Sequence, residues 1–226
     1  MRNEKLAVFL IASPRGLSGT SASLAGYLAA RLAREGMNCE AILVHRCVET
    51  DKGLDTLLKS VDRADLVVLA FPVYAGGLPG PAVRVLESMA RRRAAVRAIM
   101  PKRFCAIANC GLPDAAECDT ALAVCRIFTR QCGMIWAGGL ALGGGEVLAG
   151  KPLTRSRLLA RNAMRALAIA AKALAAGSPV PFKAASLMAR PLMPWPLYLW
   201  LAHVRFFREA RRSGAGARIF DRPYGR

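Results

Sequence analysis

Short apolar runs alternate with helical patterns along the first 150 residues, and this alternation limits the folds that the chain can adopt. The first, third and fourth runs are apolar almost throughout, as expected for central strands that are buried on both faces. A helix between each strand and the next implies a parallel sheet covered by helices on both sides. The apolar runs predict five strands, at Lys5–Ala12, Asn38–Val44, Leu66–Phe71, Phe104–Asn109 and Met134–Leu142.

Helical patterns follow these strands and predict the layers that cover the sheet. The predicted helices are Ser21–Glu35, Leu54–Arg63, Pro81–Arg97, Ala116–Gln131 and Arg155–Ala176, the last with Thr154 as its N-cap. Five strands and five helices fit an α/β fold, a doubly wound three-layer α/β/α sandwich whose five-stranded parallel sheet has the order 2-1-3-4-5. Ligands of such sheets bind at the carboxyl ends of the strands. This rule selects the loops Ser13–Thr20, Pro72–Pro81 and Asn109–Asp114.

The first of these loops reads Ser-Pro-Arg-Gly-Leu-Ser-Gly-Thr and leads from a strand into a helix. Unpaired N–H groups of a first helical turn, together with the helix dipole, favour a bound anion. Arg15 adds a positive charge and the hydroxyl groups add donors. The loop lacks both the Gly-x-Gly-x-x-Gly spacing of dinucleotide sites and the lysine of nucleoside triphosphate loops. It therefore predicts a monophosphate site, with an ordinary capped strand–helix turn as the alternative.

The loops after strands 1 and 3 together resemble the NADPH-dependent FMN reductase branch of the flavodoxin-like superfamily. The resemblance rests on Ser13-Pro-Arg-x-x-Ser18-x-Thr20 and on Phe71-Pro-Val-Tyr-Ala-Gly-Gly-Leu-Pro-Gly80, in this order and on the expected loops. It implies a flavodoxin-like FMN-binding domain, FMN as cofactor and NAD(P)H as co-substrate. It also implies a homodimer, because relatives commonly build the flavin site near a subunit interface.

The resemblance assigns the residues of the flavin site. The phosphate would be held by Ser13, Arg15, Ser18, Thr20 and Ser21. The isoalloxazine ring would lie against Pro72, Val73, Tyr74, Ala75, Gly76 and Gly77, with Asn109, Cys110 and Gly111 on its other side. Tyr74 is the only aromatic residue among these positions, which would leave one ring face open to a nicotinamide or another acceptor. Surface packing of Tyr74 and a passive Cys110 are the alternatives.

These features predict an FMN-dependent NAD(P)H oxidoreductase. Hydride chemistry belongs to the flavin, so no catalytic side chain is expected. The acceptor is a flavin, a quinone, another small molecule or a protein. A flavodoxin-type electron carrier is one alternative, although such carriers tend to be acidic and this chain has a net charge of +18. A membrane-surface flavoprotein that serves a protein partner is another.

Composition predicts a cytoplasmic protein. No apolar run approaches the roughly 20 residues of a membrane span, and no cleavage site follows the N-terminal residues. Seven cysteines, an odd number without a Cys-x-x-Cys pair, indicate reduced thiols. Two histidines are too few for a histidine-based metal centre, so no metal is expected.

The basic charge is concentrated in the C-terminal third of the chain. Residues 151–226 carry 15 Lys and Arg against 2 Asp and Glu, whereas residues 1–150 carry 18 against 13. This asymmetry argues against a nucleic-acid partner for the whole domain and points to an acidic partner for the tail. We expect a flavodoxin-like domain at 1–177 and a basic, Trp- and Pro-containing extension at 178–226.

Prolines at 191, 194 and 196 exclude a continuous helix through the first half of this extension, and a helix is predicted from about Leu197 to Arg211. Aromatic side chains beside arginines resemble an interfacial membrane anchor. Three interpretations stay open: an arm that packs on its own domain or on a dimer partner, contact of residues 187–212 with an anionic membrane surface, and binding to another acidic partner.

Overall fold

A parallel five-stranded sheet lies at the centre of the computed structural model, which describes residues 5–95 and 101–221. Its strand order is β2-β1-β3-β4-β5, so the predicted doubly wound α/β fold is confirmed. Every strand boundary falls within one residue of its prediction. The strands are β1 (Leu6–Ile11), β2 (Asn38–Leu43), β3 (Leu66–Pro72), β4 (Arg103–Asn109) and β5 (Ile135–Leu142).

Eight α-helices accompany the strands in the described part of the chain. They are α1 (Thr20–Arg34), α2 (Val44–Cys47), α3 (Asp51–Arg63), α4 (Gly80–Ala95), α5 (Asp119–Gln131), α6 (Arg161–Ala175), α7 (Phe182–Met188) and α8 (Trp195–Arg212). Local chemistry fixes some of their ends. Thr50, for example, precedes α3 and its hydroxyl oxygen accepts a hydrogen bond from the N–H of Gly53 at 3.1 Å.

Two apolar cores lie on opposite faces of the sheet, because successive residues of a strand point to opposite sides. Phe9 and Ile11 of β1 belong to the core that α1, α6 and α7 cover. Val8 and Leu10 belong to the core that α3, α4 and α5 cover. All four side chains are almost completely inaccessible to solvent. The predicted three-layer sandwich follows from this division.

The predicted start of the last domain helix is wrong. Residues Leu153–Ser156 form a 3-10 turn, and α6 begins only at Arg161, with Ala160 rather than Thr154 at its N-cap. The N–H of Arg155 bonds to the carbonyl of Pro152, so this segment closes tight turns before the helix begins. Another 3-10 turn, Ala115–Cys118, precedes α5, which therefore begins at Asp119 rather than at the predicted Ala116. Helices α2 and α7 were not predicted, and Arg97, the predicted end of α4, lies outside the described residues.

The described chain divides into two compact units, residues 5–192 and residues 193–221. The first unit includes α7, whose Ala184 and Met188 are fully buried in the core beside α6. The second contains α8, which begins after Pro194 and has Pro196 in its first turn. Among the described residues, no helix combines the length and apolar character needed to cross a membrane. The domain boundary after residue 177 stays a prediction.

Candidate functional site

The loops that follow β1, β3 and β4 meet at one edge of the sheet because these strands end in register. Ile11 pairs with Ala70, and Asn109 pairs with both Pro72 and Leu142. Between the loops lies a cavity of about 180 Å³. It is lined by Ser13, Arg15, Gly19, Thr20, Ser21, Pro72, Val73, Tyr74, Asn109, Cys110, Gly111, Gly145 and Glu146. Ten of the fourteen sequence-predicted site residues are therefore brought together here.

The first loop presents the N-terminus of α1 to the cavity. Gly19 is the N-cap residue and no side chain caps the helix. The N–H groups of Ala22 and Ser23 bond to the carbonyl of Gly19, whereas those of Thr20 and Ser21 have no acceptor within the described residues. These two donors and the positive end of the helix dipole are the features that suit an anion.

Gly19 allows the loop to close tightly around this site. A Cβ atom at position 19 would lie 2.5 Å from Oγ of Ser13 and 3.5 Å from Cβ of Arg15. Ser13 is buried, and its Oγ accepts a hydrogen bond from the N–H of Arg15 at 3.3 Å. Because Gly19 has no side chain, the backbone just before α1 can lie close to Ser13 and Arg15.

The hydroxyl groups of Thr20 and Ser21 are used within the protein. Oγ1 of Thr20 donates to the carbonyl of Gly145 at 2.8 Å, and Oγ of Ser21 donates to Oδ1 of Asn109 at 2.7 Å. Both side chains are buried. These bonds join the start of α1 to the end of β4 and to the turn after β5, and they leave the backbone N–H groups of Thr20 and Ser21 available to a ligand.

Residues 143–150, which follow β5, pack against the first loop, the start of α1 and the third loop. Oγ of Ser23 donates to the carbonyl of Gly150 at 2.8 Å. A Cβ atom on Gly150 would overlap the carbonyl of Ser18, and one on Gly143 would overlap the carbonyl of Pro113. Gly150 also has a φ of 69°, which favours glycine. The glycine-rich sequence of this segment is therefore needed for close backbone packing.

The second loop forms a tight turn at the end of β3. Tyr74 and Gly77 exchange backbone hydrogen bonds of 3.1 and 2.9 Å, while Ala75 and Gly76 adopt φ values of 48° and 76°. The N–H groups of Ala75 and Gly76 have no acceptor within the described residues, so they are available to a ligand. Tyr74 lines the cavity and is 52% exposed. Ala75, Gly76, Gly77 and Ser18 are not among the lining residues.

The third loop places a polar amide and a thiol beside the cavity. Asn109 is buried and Cys110 is 5% exposed. A hydrogen bond from the thiol of Cys118 lowers the pKa of the Cys110 thiol and raises the pKa of Cys118. Burial instead raises the pKa of Cys105 and Cys125 to about 12. Cys110 thus differs chemically from these deeply buried cysteines.

Three lining residues were not predicted from the sequence: Gly19, Gly145 and Glu146. The run Gly143-Gly-Gly145, at the end of a predicted strand, was a signal for Gly145. A Cβ atom there would lie 2.9 Å from Nδ2 of Asn109. Glu146 is the only acidic residue in the lining and Arg15 the only basic one. The cavity therefore carries one charge of each sign.

Comparison with known proteins assigns the family. Residues 5–150 match the family described as NADPH-dependent FMN reductase. The chain belongs to this family. The predicted resemblance is confirmed, and with it FMN as the cofactor and NAD(P)H as the co-substrate. This family member is an FMN-dependent oxidoreductase. Among curated proteins, none matches the sequence significantly.

Solved structures of several flavodoxin-like proteins share the fold. An FMN-dependent NADH-azoreductase from Bacillus anthracis, solved with FMN, is 13% identical with a TM-score of 0.54, over 76% of this chain and 99% of its own. The Trp repressor binding protein from Bacillus subtilis is 14% identical with a TM-score of 0.53, over 73% and 96%. A WrbA-like flavodoxin from Agrobacterium tumefaciens is 14% identical with a TM-score of 0.50, over 77% and 99%. At these identities the likeness establishes the fold.

The residues around the cavity fit FMN. Two unpaired N–H groups at the start of α1 and the guanidinium of Arg15 suit a phosphate. The close approach at Gly19 provides a cradle that a side chain would fill. The N–H groups of the Tyr74–Gly77 turn suit the carbonyl and nitrogen acceptors of a flavin ring.

Proposed function

We propose that this protein takes reducing equivalents from NAD(P)H through FMN bound at the cavity and passes them to a small-molecule or protein acceptor. The observation that carries the proposal is a cavity lined by an unpaired helix N-terminus, by Arg15 and by Tyr74 of the tight turn after β3. Membership of the NADPH-dependent FMN reductase family supports the same reaction class.

The phosphate end of the site would be formed by the first loop. The N–H groups of Thr20 and Ser21 donate to the phosphate oxygens, and the guanidinium of Arg15 neutralises part of their charge. Ser13 holds the loop in shape through its contact with Arg15. Ser18 lies two residues before the first residue of α1 and supplies an exposed hydroxyl.

The ring end of the site would be formed by the second and third loops. Bound FMN supplies the hydride chemistry, and the protein supplies position, electrostatics and access. The N–H groups of Ala75 and Gly76 are oriented by the turn that Tyr74 and Gly77 close. Tyr74 offers an aromatic surface at one side of the cavity. Asn109, which accepts a hydrogen bond from Ser21, also lines the cavity.

The residues that line the cavity would leave one face of a bound flavin ring accessible to a second substrate. Tyr74 is the only aromatic residue among the lining residues, so a bound ring would not be enclosed between two aromatic side chains. An open face suits a nicotinamide that must stack on the ring before an acceptor replaces it. This property favours an oxidoreductase over a flavodoxin-type carrier, as does the net charge of +18.

Anaerobic reduction tests the proposal. The protein loaded with FMN is mixed with NADH or NADPH, and the visible flavin absorbance is followed. We expect rapid bleaching by at least one of the two nucleotides, and reoxidation when a quinone or free flavin is added. Stable flavin binding with no reduction by either nucleotide would contradict the proposal and favour the electron carrier.

We further propose a homodimer in the cytoplasm. All seven cysteines lie within the described residues and carry free thiols, which suits a reducing compartment. Sedimentation velocity of the FMN-loaded protein measures the oligomeric state directly. A monomer at micromolar concentration would contradict the dimer.

A further inference from the structure

Helix α8 exposes an unusual amount of apolar surface. None of its eighteen residues is buried. Trp195, Trp200 and Phe206 are 56%, 60% and 58% exposed. Five further apolar side chains of α8 are also exposed, namely Leu197, Leu199, Leu201, Val204 and Phe207. So many exposed apolar side chains on one helix indicate an interaction site.

The charged residues of this helix all lie in its C-terminal half. No Asp, Glu, Lys or Arg occurs between Trp195 and Val204, whereas residues 205–212 contain four arginines and one acid, Glu209. Helical spacing places Arg205, Arg208 and Arg212 on one side of the final turns. Phe206 and Ala210 fall on the opposite side. The helix is thus apolar at its start and amphipathic and cationic at its end.

We propose that α8 docks on an anionic lipid surface. The apolar residues enter the boundary between headgroups and acyl chains, with Trp195, Tyr198 and Trp200 at the depth where amphipathic aromatic rings are favoured. The arginines of the last two turns lie at the level of the lipid phosphates, whose charge they complement.

Charge complementarity favours lipid over the other partners that α8 could meet. A second copy of α8 carries the same four arginines and one acid, so pairing through this helix would bring like charges together. An acidic protein or a nucleic acid would satisfy the arginines but leave the uncharged first ten residues without an apolar partner. An anionic bilayer surface satisfies both halves of the helix.

Vesicle binding of the full-length, FMN-loaded protein tests this inference, which is independent of the flavin reaction. Trp136→Phe leaves Trp195 and Trp200 as the only tryptophans, because the chain contains three. We expect this variant to show a blue shift of its tryptophan emission with phosphatidylcholine vesicles that contain phosphatidylglycerol. With phosphatidylcholine alone, or at high salt, the shift should be much smaller.

Matched charge variants locate the binding surface. Arg205→Gln, Arg208→Gln, Arg211→Gln and Arg212→Gln are combined in one protein. The control combines Arg157→Gln, Arg161→Gln, Arg165→Gln and Lys172→Gln, which remove the same charge from exposed positions on and before α6. We expect the first variant to lose at least about a hundredfold in vesicle partitioning and the control to lose much less. Both should retain FMN binding.

Several outcomes would overturn the proposal. These are the absence of wild-type binding to vesicles that contain phosphatidylglycerol, equal losses in the two charge variants, or equal binding to neutral and anionic vesicles. Trp195→Ser combined with Trp200→Ser provides a further test by sedimentation. If this change abolishes self-association and leaves vesicle binding intact, α8 is an interface between copies of the chain and the proposal is wrong.

Discussion

Two glycines, one in the first loop and one in the segment that packs against it, set the shape of the candidate flavin site. Gly19 lets the loop pass close to Ser13, and Gly150 lets the chain pass close to the carbonyl of Ser18. The two hydroxyl bonds from Thr20 and Ser21 then hold the start of α1 against the turn after β5 and the end of β4. The N–H groups at the start of α1 are therefore held in place before a ligand arrives, which is the physical basis of preorganised binding.

Gly19→Ala should weaken FMN binding by about tenfold to a hundredfold, the value of one or two charge-assisted hydrogen bonds. The added methyl group would displace Ser13 Oγ and with it the loop. Gly26→Ala in α1 is the matched control, because its Cβ would meet nothing within 4 Å. This control should raise the free energy of unfolding by about 0.5–1 kcal/mol and leave FMN affinity unchanged. Fluorescence titration and urea unfolding measure both effects, and equal FMN affinity in the two variants would refute the role of Gly19.

At this scale the sequence predicted the loop but not the hydrogen bonds that hold it in place. A strand followed by Ser-Pro-Arg, a glycine and a helix can be recognised locally, and Ser13 and Arg15, which it led us to predict, line the cavity. The acceptors of the Thr20 and Ser21 hydroxyls lie 125 and 88 residues away in the chain. Glu146 enters the cavity through the same long-range packing. No local pattern contains that information.

At the scale of elements, one ion-pair cluster joins α3 to α4. The guanidinium of Arg92 in α4 donates to Asp62 at 2.7 Å and to Asp55 at 3.2 Å, both in α3. Lys59 also pairs with Asp55 at 2.8 Å. The hydrogen bond from Lys59, followed by the charge of Lys59 and the contacts of Arg92, lowers the pKa of the Asp55 carboxyl.

Asp55→Asn should therefore reduce stability in a pH-dependent way. Because the folded-state pKa of Asp55 lies below its ordinary value, the stabilisation is complete above that ordinary value and is lost as the pH falls through the lowered one. Urea unfolding of wild type and variant should differ at pH 7 and converge towards pH 3. A difference that stays constant over this range would contradict the assignment. The effect should also shrink in high salt, since the pair is exposed.

Strands were predicted better than helix starts, for a physical reason. Central strands such as β3 are buried on both faces, and this leaves a continuous apolar run whose ends are sharp. The start of α6 instead depends on how residues 150–160 connect β5 to the helix, including the contact of Gly150 with the first loop. A helical period continues across that connection in the sequence, although the chain forms 3-10 turns there.

At the scale of the whole molecule, the sheet order was predictable because few topologies satisfy an alternating strand and helix pattern with right-handed crossovers. The charge asymmetry between residues 1–150 and 151–226 was also visible in the sequence. The sequence did not show which apolar side chains of residues 178–192 are buried, because their burial depends on contacts with residues distant in the chain. Ala184 and Met188 are buried, whereas no residue of α8 is.

The central claim is that the loop from Ser13 to Ser21 binds the phosphate of FMN, and titration of the apoprotein with FMN and with riboflavin tests it most directly. Riboflavin carries the same ring without the phosphate. Arg15→Gln is compared with Arg34→Gln, which removes an equal charge at the far end of α1.

The account predicts that wild type and Arg34→Gln bind FMN at least about a hundredfold more tightly than riboflavin. In Arg15→Gln this preference should fall by about tenfold, while the affinity for riboflavin stays unchanged. Equal affinity of the wild-type protein for FMN and riboflavin would contradict the claim.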